Sequence, residues 1–285
     1  MIIRLKDCAR VYIINVVSRG EEKRKEKAMI YDLQKASMWK RISAFMFDFI
    51  LFLTVFVGIA LLLSAVTDYD GNIASLEAVY DKYEKEYDIV LGGEPDGYDT
   101  MTDEEKKAYD ERYAQAENAF QQDAEGIRLS SKLMSATLLI LAIGLFISYL
   151  ISDFIVPLIL GNGQTLGKKI FGICLMRDDG VKISPVMLFV RAILGKFTVE
   201  TMVPVFLVIL VLVGGAGIIG LLSIVAIFVF DVVLIVKTKT NSTIHDMLSY
   251  TVVVDKESQL IFETKEAMIE YKNKIHAEES EKKLY

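Results

Sequence analysis

Between Ile42 and Val66 the chain runs for 25 residues with Asp48 as its single charge. A helix of that length is about 37 Å long at ~1.5 Å per residue, more than the ~30 Å of hydrocarbon in a bilayer. This is the first predicted span. It follows Lys40 and Arg41 and ends on the small residues Ser64 and Ala65, but the run is too long for a signal-peptide core, so a retained anchor is expected. A second run, Leu133 to Leu160, is interrupted by Asp153 and Pro157. The proline lies near its end, where one lost helical hydrogen bond matters least. The 35 residues from Met202 to Val236 carry one charge, Asp231, and are enough for two short spans. Gly214-Gly215-Ala216-Gly217 is the candidate turn, because glycine permits it and lets backbones approach closely. The spans are therefore placed at about 42–66, 133–160, 197–214 and 217–236, with one long tilted helix as the alternative for the last pair. The expected fold is an all-α membrane protein of four transmembrane helices, with an extracytoplasmic helical-hairpin insertion between the first and second.

In that insertion, 67–132, Leu76, Val79, Tyr80, Tyr83 and Tyr87 recur at helical spacing before a Gly/Pro-rich turn at 92–97. Thr102-Asp-Glu-Glu105 is a capping-box pattern opening a second helix with Tyr109, Tyr113, Ala116 and Phe120, which is expected to continue into the second span. The two stripes predict a zipped hairpin. Between the second and third spans, Gly161 to Lys169 superficially resembles a phosphate loop. Asn162 stands where glycine is required and Lys169 where the hydroxyl is, so nucleotide binding is not expected. Arg177-Asp-Asp-Gly180, between short apolar runs, predicts a hairpin turn. Ser184 to Phe197 mixes apolar residues with Arg191 and Lys196, as in an interfacial helix with snorkelling basic groups or the slanted start of the third span. From Asp255 the tail is charged, either a solvated helix or disordered.

Charge supplies the orientation. Residues 1–41 hold eleven Lys/Arg, and 161–197 hold six against two acids, whereas 67–132 hold seven against eighteen acids. Basic segments stay inside, so both termini and the 161–196 loop are expected in the cytoplasm at the cell (plasma) membrane. Cys8 and Cys174, with two histidines, offer neither a disulfide framework nor a zinc site. No nucleophile–base pair or cofactor loop is evident, so an enzyme, a cofactor and a nucleic-acid partner are not expected.

Ionisable groups in hydrocarbon cost ~2.5–3.5 kcal/mol each and call for a partner or a role. Arg41 and Asp48 are seven residues apart, on nearly the same helix face and about 10.5 Å apart along the axis, leaving room for a third group between them. Asp48 lies seven residues beyond Arg41, Asp153 eight before Gly161, and Asp231 six before Lys237. All three acids fall roughly 9–12 Å from the cytoplasmic boundary and are expected to converge in one polar cluster. One reading is a cation- or proton-coupled site with Asp48 and Asp153 as ligands and Arg41 as a switchable counter-ion. The other is a set of static ion pairs fixing helix rotation, with Asp231 capping a backbone group. Glu200 is expected at an interface, paired with Lys196.

Ala36-Ser-Met-Trp39-Lys40-Arg41 with Asp48, then Gly163-Gln-Thr-Leu-Gly-Lys-Lys169 with Gly172, then Ile244-His-Asp246-Met-Leu-Ser-Tyr-Thr-Val-Val-Val254 together resemble the RDD family, named for an arginine and two aspartates. The resemblance covers about 36–254 and assigns Arg41 to the arginine and Asp48 and Asp246 to the aspartates. Asp246 then becomes a candidate for the third group beside Arg41. The resemblance implies transport of unidentified ligands, with sodium/proton antiport proposed for some members. The layout is a cytoplasmic segment 1–41, a membrane domain 36–254 containing the 67–132 insertion, and a cytoplasmic tail 255–285. Residues 1–28 read as a mis-called extension, since Gly20 to Lys27 can be encoded by purines alone, like a ribosome-binding site, and Met29 is a natural start. The function expected is a small transporter or ion-coupled permeation protein, acting on a cation or proton (Na+/H+), in the lipid bilayer and as a homo-oligomer. Its rival is a membrane scaffold or assembly factor.

Overall fold

The computed structural model describes residues 32–91, 93, 95–215 and 217–282. The expectation about 1–28, and Cys8, lie outside them. In chain order the elements are α1 (Met38–Val66), α2 (Tyr69–Tyr87), α3 (Asp103–Gln122), α4 (Ala124–Leu160), α5 (Leu166–Ile170), β1 (Ile173–Arg177), α6 (Pro185–Leu212), α7 (Gly217–Lys237), α8 (Ile244–Leu248), β2 (Thr251–Asp255) and α9 (Lys265–Lys282). Four of these, α1, α4, α6 and α7, are long and apolar enough to cross a bilayer. Their large side chains face outward, with Leu212 80% and Phe228 71% exposed, as when lipid is the solvent. The chain is a multi-pass membrane protein.

Two boundaries differ from the sequence expectation. The third candidate span begins at Pro185, not near 197, so the run within 161–196 is its first half, the slanted-start alternative and not the interfacial helix. Ser184 accepts from Met187 N–H at 3.3 Å and Pro185 takes the first helical position, a local start signal. Conversely, α3 does not run straight into α4. Asp123 accepts from the N–H groups of Glu125 (2.9 Å) and Gly126 (3.2 Å), ending one helix and capping the next. Between α6 and α7 the expected tight turn is present, with Gly214 at φ 74°.

Within α4 and α6, Leu150–Ile155 and Val190–Met202 wind as π-helix. At their ends Val156 N–H donates to Ile151 and Val203 N–H to Thr198, five residues back. Each wide stretch stops two residues before a proline, Pro157 or Pro204. Proline lacks an N–H and its ring displaces the carbonyl four residues earlier. Here those carbonyls belong to Asp153 and Glu200, and the widened turns absorb the displacement.

The chain divides into two compact units, Thr54–Ile147 and the residues on either side of it. In the Thr54–Ile147 unit, α2 and α3 form the expected zipped hairpin. Phe120 packs between Tyr80 (ring centroids 5.2 Å) and Tyr83 (5.9 Å), and the Tyr109 hydroxyl accepts Val90 N–H at 3.0 Å and donates to the Val90 carbonyl at 3.4 Å. Thr102 and Glu105 make the predicted reciprocal capping box.

The other unit adds a feature that an all-α expectation omits, a two-stranded antiparallel sheet. The turn at Arg177–Gly180 forms, Gly180 N–H donating to the Arg177 carbonyl at 3.0 Å and Arg177 N–H to the Val181 carbonyl at 2.9 Å, but β1 pairs no further with the chain after the turn. Its partner is β2, with Ile173 opposite Asp255 and Arg177 opposite Thr251. Beyond Val181 the chain is diverted, Lys182 N–H donating to Phe262 at 2.8 Å. Ile173, Leu175 and Val253 pack on one side with Ala36, Ala44 and Leu188, and Cys174, Met176, Val252 and Val254 on the other. Burial of both faces explains why these strands are apolar without alternation. The tail is helical in α9, anchored by Met268 against Val181 and Phe262.

Candidate functional site

Asp246, 1% exposed, is the centre of the polar structure. One oxygen takes Arg191 Nη1 from α6, and the other takes Arg41 Nη2 from α1 at 3.4 Å and Thr243 N–H at 3.1 Å. Arg191 also donates to Thr251 Oγ1 at 2.7 Å, and Arg41 to the Asn241 carbonyl at 2.6 Å. One carboxylate thus ties two spans to the segment containing α8 and β2. Burial opposes its charge, but Arg191, then His245 and Arg41, hold the carboxyl well below the usual carboxylate range.

The convergence of Asp48, Asp153 and Asp231 into one shared cluster is not what forms. Arg41 turns to Asp246 and Asn241 and makes no ion pair with Asp48 among the described residues. Asp48 instead accepts from the Thr165 hydroxyl and from Gly167 N–H at 2.8 Å, so it caps the first turn of α5. Asp153 pairs with Lys196. Asp231 takes Ile244 N–H at 3.0 Å, the backbone-capping alternative. Matching depth fixes one coordinate of a side chain, and the direction in which it points decides its partner. Among the described residues no three His, Cys, Asp or Glu side chains converge as metal ligands.

Three further residues belong to the site. Arg191, expected to snorkel to headgroups, is 4% exposed and within electrostatic reach of Arg41, Lys168, Lys196, His245 and Asp246. Glu200 pairs not with Lys196 but with His245, accepting its backbone N–H at 2.9 Å and lying 2.7 Å from Nδ1. A signal for the acids was present in the sequence. Asp153 and Glu200 each stand four residues before a proline inside an apolar run, where the backbone must widen.

The third residue is Lys168. Arg191 has Asp246 and Lys196 has Asp153, yet among the described residues no carboxylate forms an ion pair with Lys168. Burial, and after it Arg191 and Lys196, push its ammonium down to about 7, against the pull of Asp153 and Asp48. The unfolded chain keeps an ordinary lysine near 10.5, so between about pH 7 and 10.5 it binds a proton that the folded chain has released, and stability rises with pH across that window. Lys168→Met should therefore raise the unfolding temperature most at about pH 6, and the gain should shrink towards about pH 10. Thermal unfolding of both proteins across this range checks it; a gain independent of pH would contradict a depressed lysine.

No curated protein and no solved structure matches the chain. Residues 35–250 match the RDD family, and they contain Arg41, Asp48 and Asp246 together with every partner named above except Thr251. With three quarters of its length inside that match, the chain belongs to the RDD family.

Proposed function

We propose that the protein is a small ion-coupled transporter of the cell membrane, working through the charged centre that links α1, α4, α6 and α8. The observation that carries this reading is Lys168, a cation with no ion-pair partner among the described residues, set among Asp48, Asp153, Arg191 and Lys196. A charge poised to come and go near neutral pH is what proton coupling requires, and a set of static pairs has no use for it. The lysine and arginine distribution supports an orientation with both termini and this centre cytoplasmic and the α2–α3 hairpin outside. Asp48 and Asp153 are engaged with protein groups, so the coupled ion most directly supported is the proton, exchanged against a monovalent cation. Four spans are few for a carrier, which favours a homo-oligomer.

The full chain in proteoliposomes enclosing a pH-reporting dye tests this. Imposed sodium, potassium or lithium gradients should drive proton flux, and Asp48→Asn and Lys168→Met should each lower it at least tenfold. The competing reading, a scaffold or assembly factor, is favoured by the ordered aromatic hairpin. It prevails if flux is absent for all three cations while a pulldown on that hairpin recovers a stable partner.

A further inference from the structure

Beside Asp246 the hydrogen bonds leave one proton to be placed. The Thr243 hydroxyl lies 3.0 Å from His245 Nε2 and 2.9 Å from Asp246 Oδ2. It has one hydrogen and two acceptors. On the other side of the ring, Nδ1 lies 2.8 and 2.7 Å from the two Glu200 oxygens, which requires a proton between them. His245 is held close to α6 because Gly195 lacks a side chain, and a Cβ there would stand 2.5 Å from that of His245.

We infer that Glu200, His245, Thr243 and Asp246 form a single-proton switch, in which the Thr243 hydroxyl turns from His245 to Asp246 when the Glu200–His245 pair gains a proton. With the ring neutral and Glu200 ionised, Nδ1–H donates to Glu200 and Nε2 accepts the Thr243 hydroxyl, while Asp246 keeps Arg191, Arg41 and Thr243 N–H. On acidification the incoming proton bonds to Nε2. The new Nε2–H donates to the Thr243 oxygen, and the hydroxyl hydrogen swings to Asp246. One proton is bound in all, and no covalent bond breaks. The protonation state of the ring is thereby relayed to the carboxylate that holds both arginines.

The charged groups facing His245 are Arg191 and Glu200 from α6, Asp153 from α4, Asp231 from α7 and its neighbour Asp246. Burial, then Arg191, lowers the ring's hold on a proton, and Asp246 and Glu200 oppose this without reversing it. Uptake is therefore expected on the acid side of the ordinary histidine value of about 6.5. The switch does not depend on ion transport, so the flux measurement and the test below fail separately.

The chain has two histidines, so a 15N-histidine spectrum of the full protein in lipid nanodiscs contains two rings, and His276→Asn assigns them. At about pH 8 His245 should be the Nδ1–H tautomer with a hydrogen-bonded Nε2, and near about pH 5 both nitrogens should carry protons. Glu200→Gln should lower the midpoint by about one unit or more. Thr243→Val should leave Nε2 unbonded in the alkaline form, and Thr243→Ser should restore it. An Nε2–H tautomer at alkaline pH, a ring that stays neutral throughout, or an Nε2 signal unchanged in Thr243→Val would each overturn the switch.

Discussion

Asp246→Asn should cost the folded protein about 3–5 kcal/mol, the range for removing one partner of a buried ion pair. Asparagine keeps the shape and one acceptor oxygen but not the charge, leaving the Arg191 and Arg41 guanidinium groups on the same site without a counter-charge. Arg191 is 4% exposed and cannot turn to water. Arg41 keeps the Asn241 carbonyl, so most of the loss falls on Arg191. The carboxylate holds α1 and α6 to α8, so local release of α8 should accompany the loss, visible as faster hydrogen exchange over 244–248. A double replacement separates the causes. Arg191→Met alone should also destabilise, whereas Arg191→Met with Asp246→Leu should cost less than Asp246→Asn, because it removes the buried Arg191–Asp246 pair together and leaves only Arg41, which keeps the Asn241 carbonyl. Equilibrium unfolding in detergent micelles measures all three. A loss below about 1 kcal/mol for Asp246→Asn would mean that the carboxylate is not what joins these elements.

The features legible in the sequence are those written within a few residues. Unbroken apolar runs located the spans except for the first half of the third, Gly214 located the turn, and Thr102 with Glu105 the start of α3. The meeting of Arg41 with Asp246 followed from the resemblance and from helix geometry, which left a gap on that face for a third group. What could not be read depends on residues far apart in the chain. Nothing near Ile173 says that its partner strand is Thr251–Asp255 and not the chain beyond the turn, because two short apolar runs fit either pairing. Arg191 and Lys196 carry the same residue types whether they reach for headgroups or for Asp246 and Asp153. Their direction is set by the π-helical course of Val190–Met202, which shifts the angular position of each residue from where a regular helix would put it. Counting residues from the boundary gave each acid a depth but not a direction, and so assigned them the wrong neighbours.

Gly167→Ala should be the most damaging conservative change in the membrane domain. A Cβ at this position would stand 2.4 Å from the Ala44 carbonyl oxygen and 2.9 Å from the Asp48 carboxyl carbon. The first contact is with the backbone of α1, which cannot rotate away, so the loop carrying α5 must lift. Overpacking of this kind costs about 1–3 kcal/mol. Lifting also breaks the bond from Gly167 N–H to Asp48, and a hydrogen bond to a charged group contributes about 1.5–3 kcal/mol. Asp48 would then sit in the apolar span with only the Thr165 hydroxyl, so the two losses compound. The expected outcome is several kcal/mol, read as a large fall in unfolding temperature and in the yield of folded protein. Ala44→Gly should not rescue it, since the obstacle is the carbonyl of that residue and not its methyl group. Asp48→Asn in the wild-type background should cost less than Gly167→Ala, because it weakens the cap without forcing the backbones apart. If Gly167→Ala were tolerated, or Ala44→Gly restored it, the close approach of α1 and α5 would not be what fixes Asp48 in place.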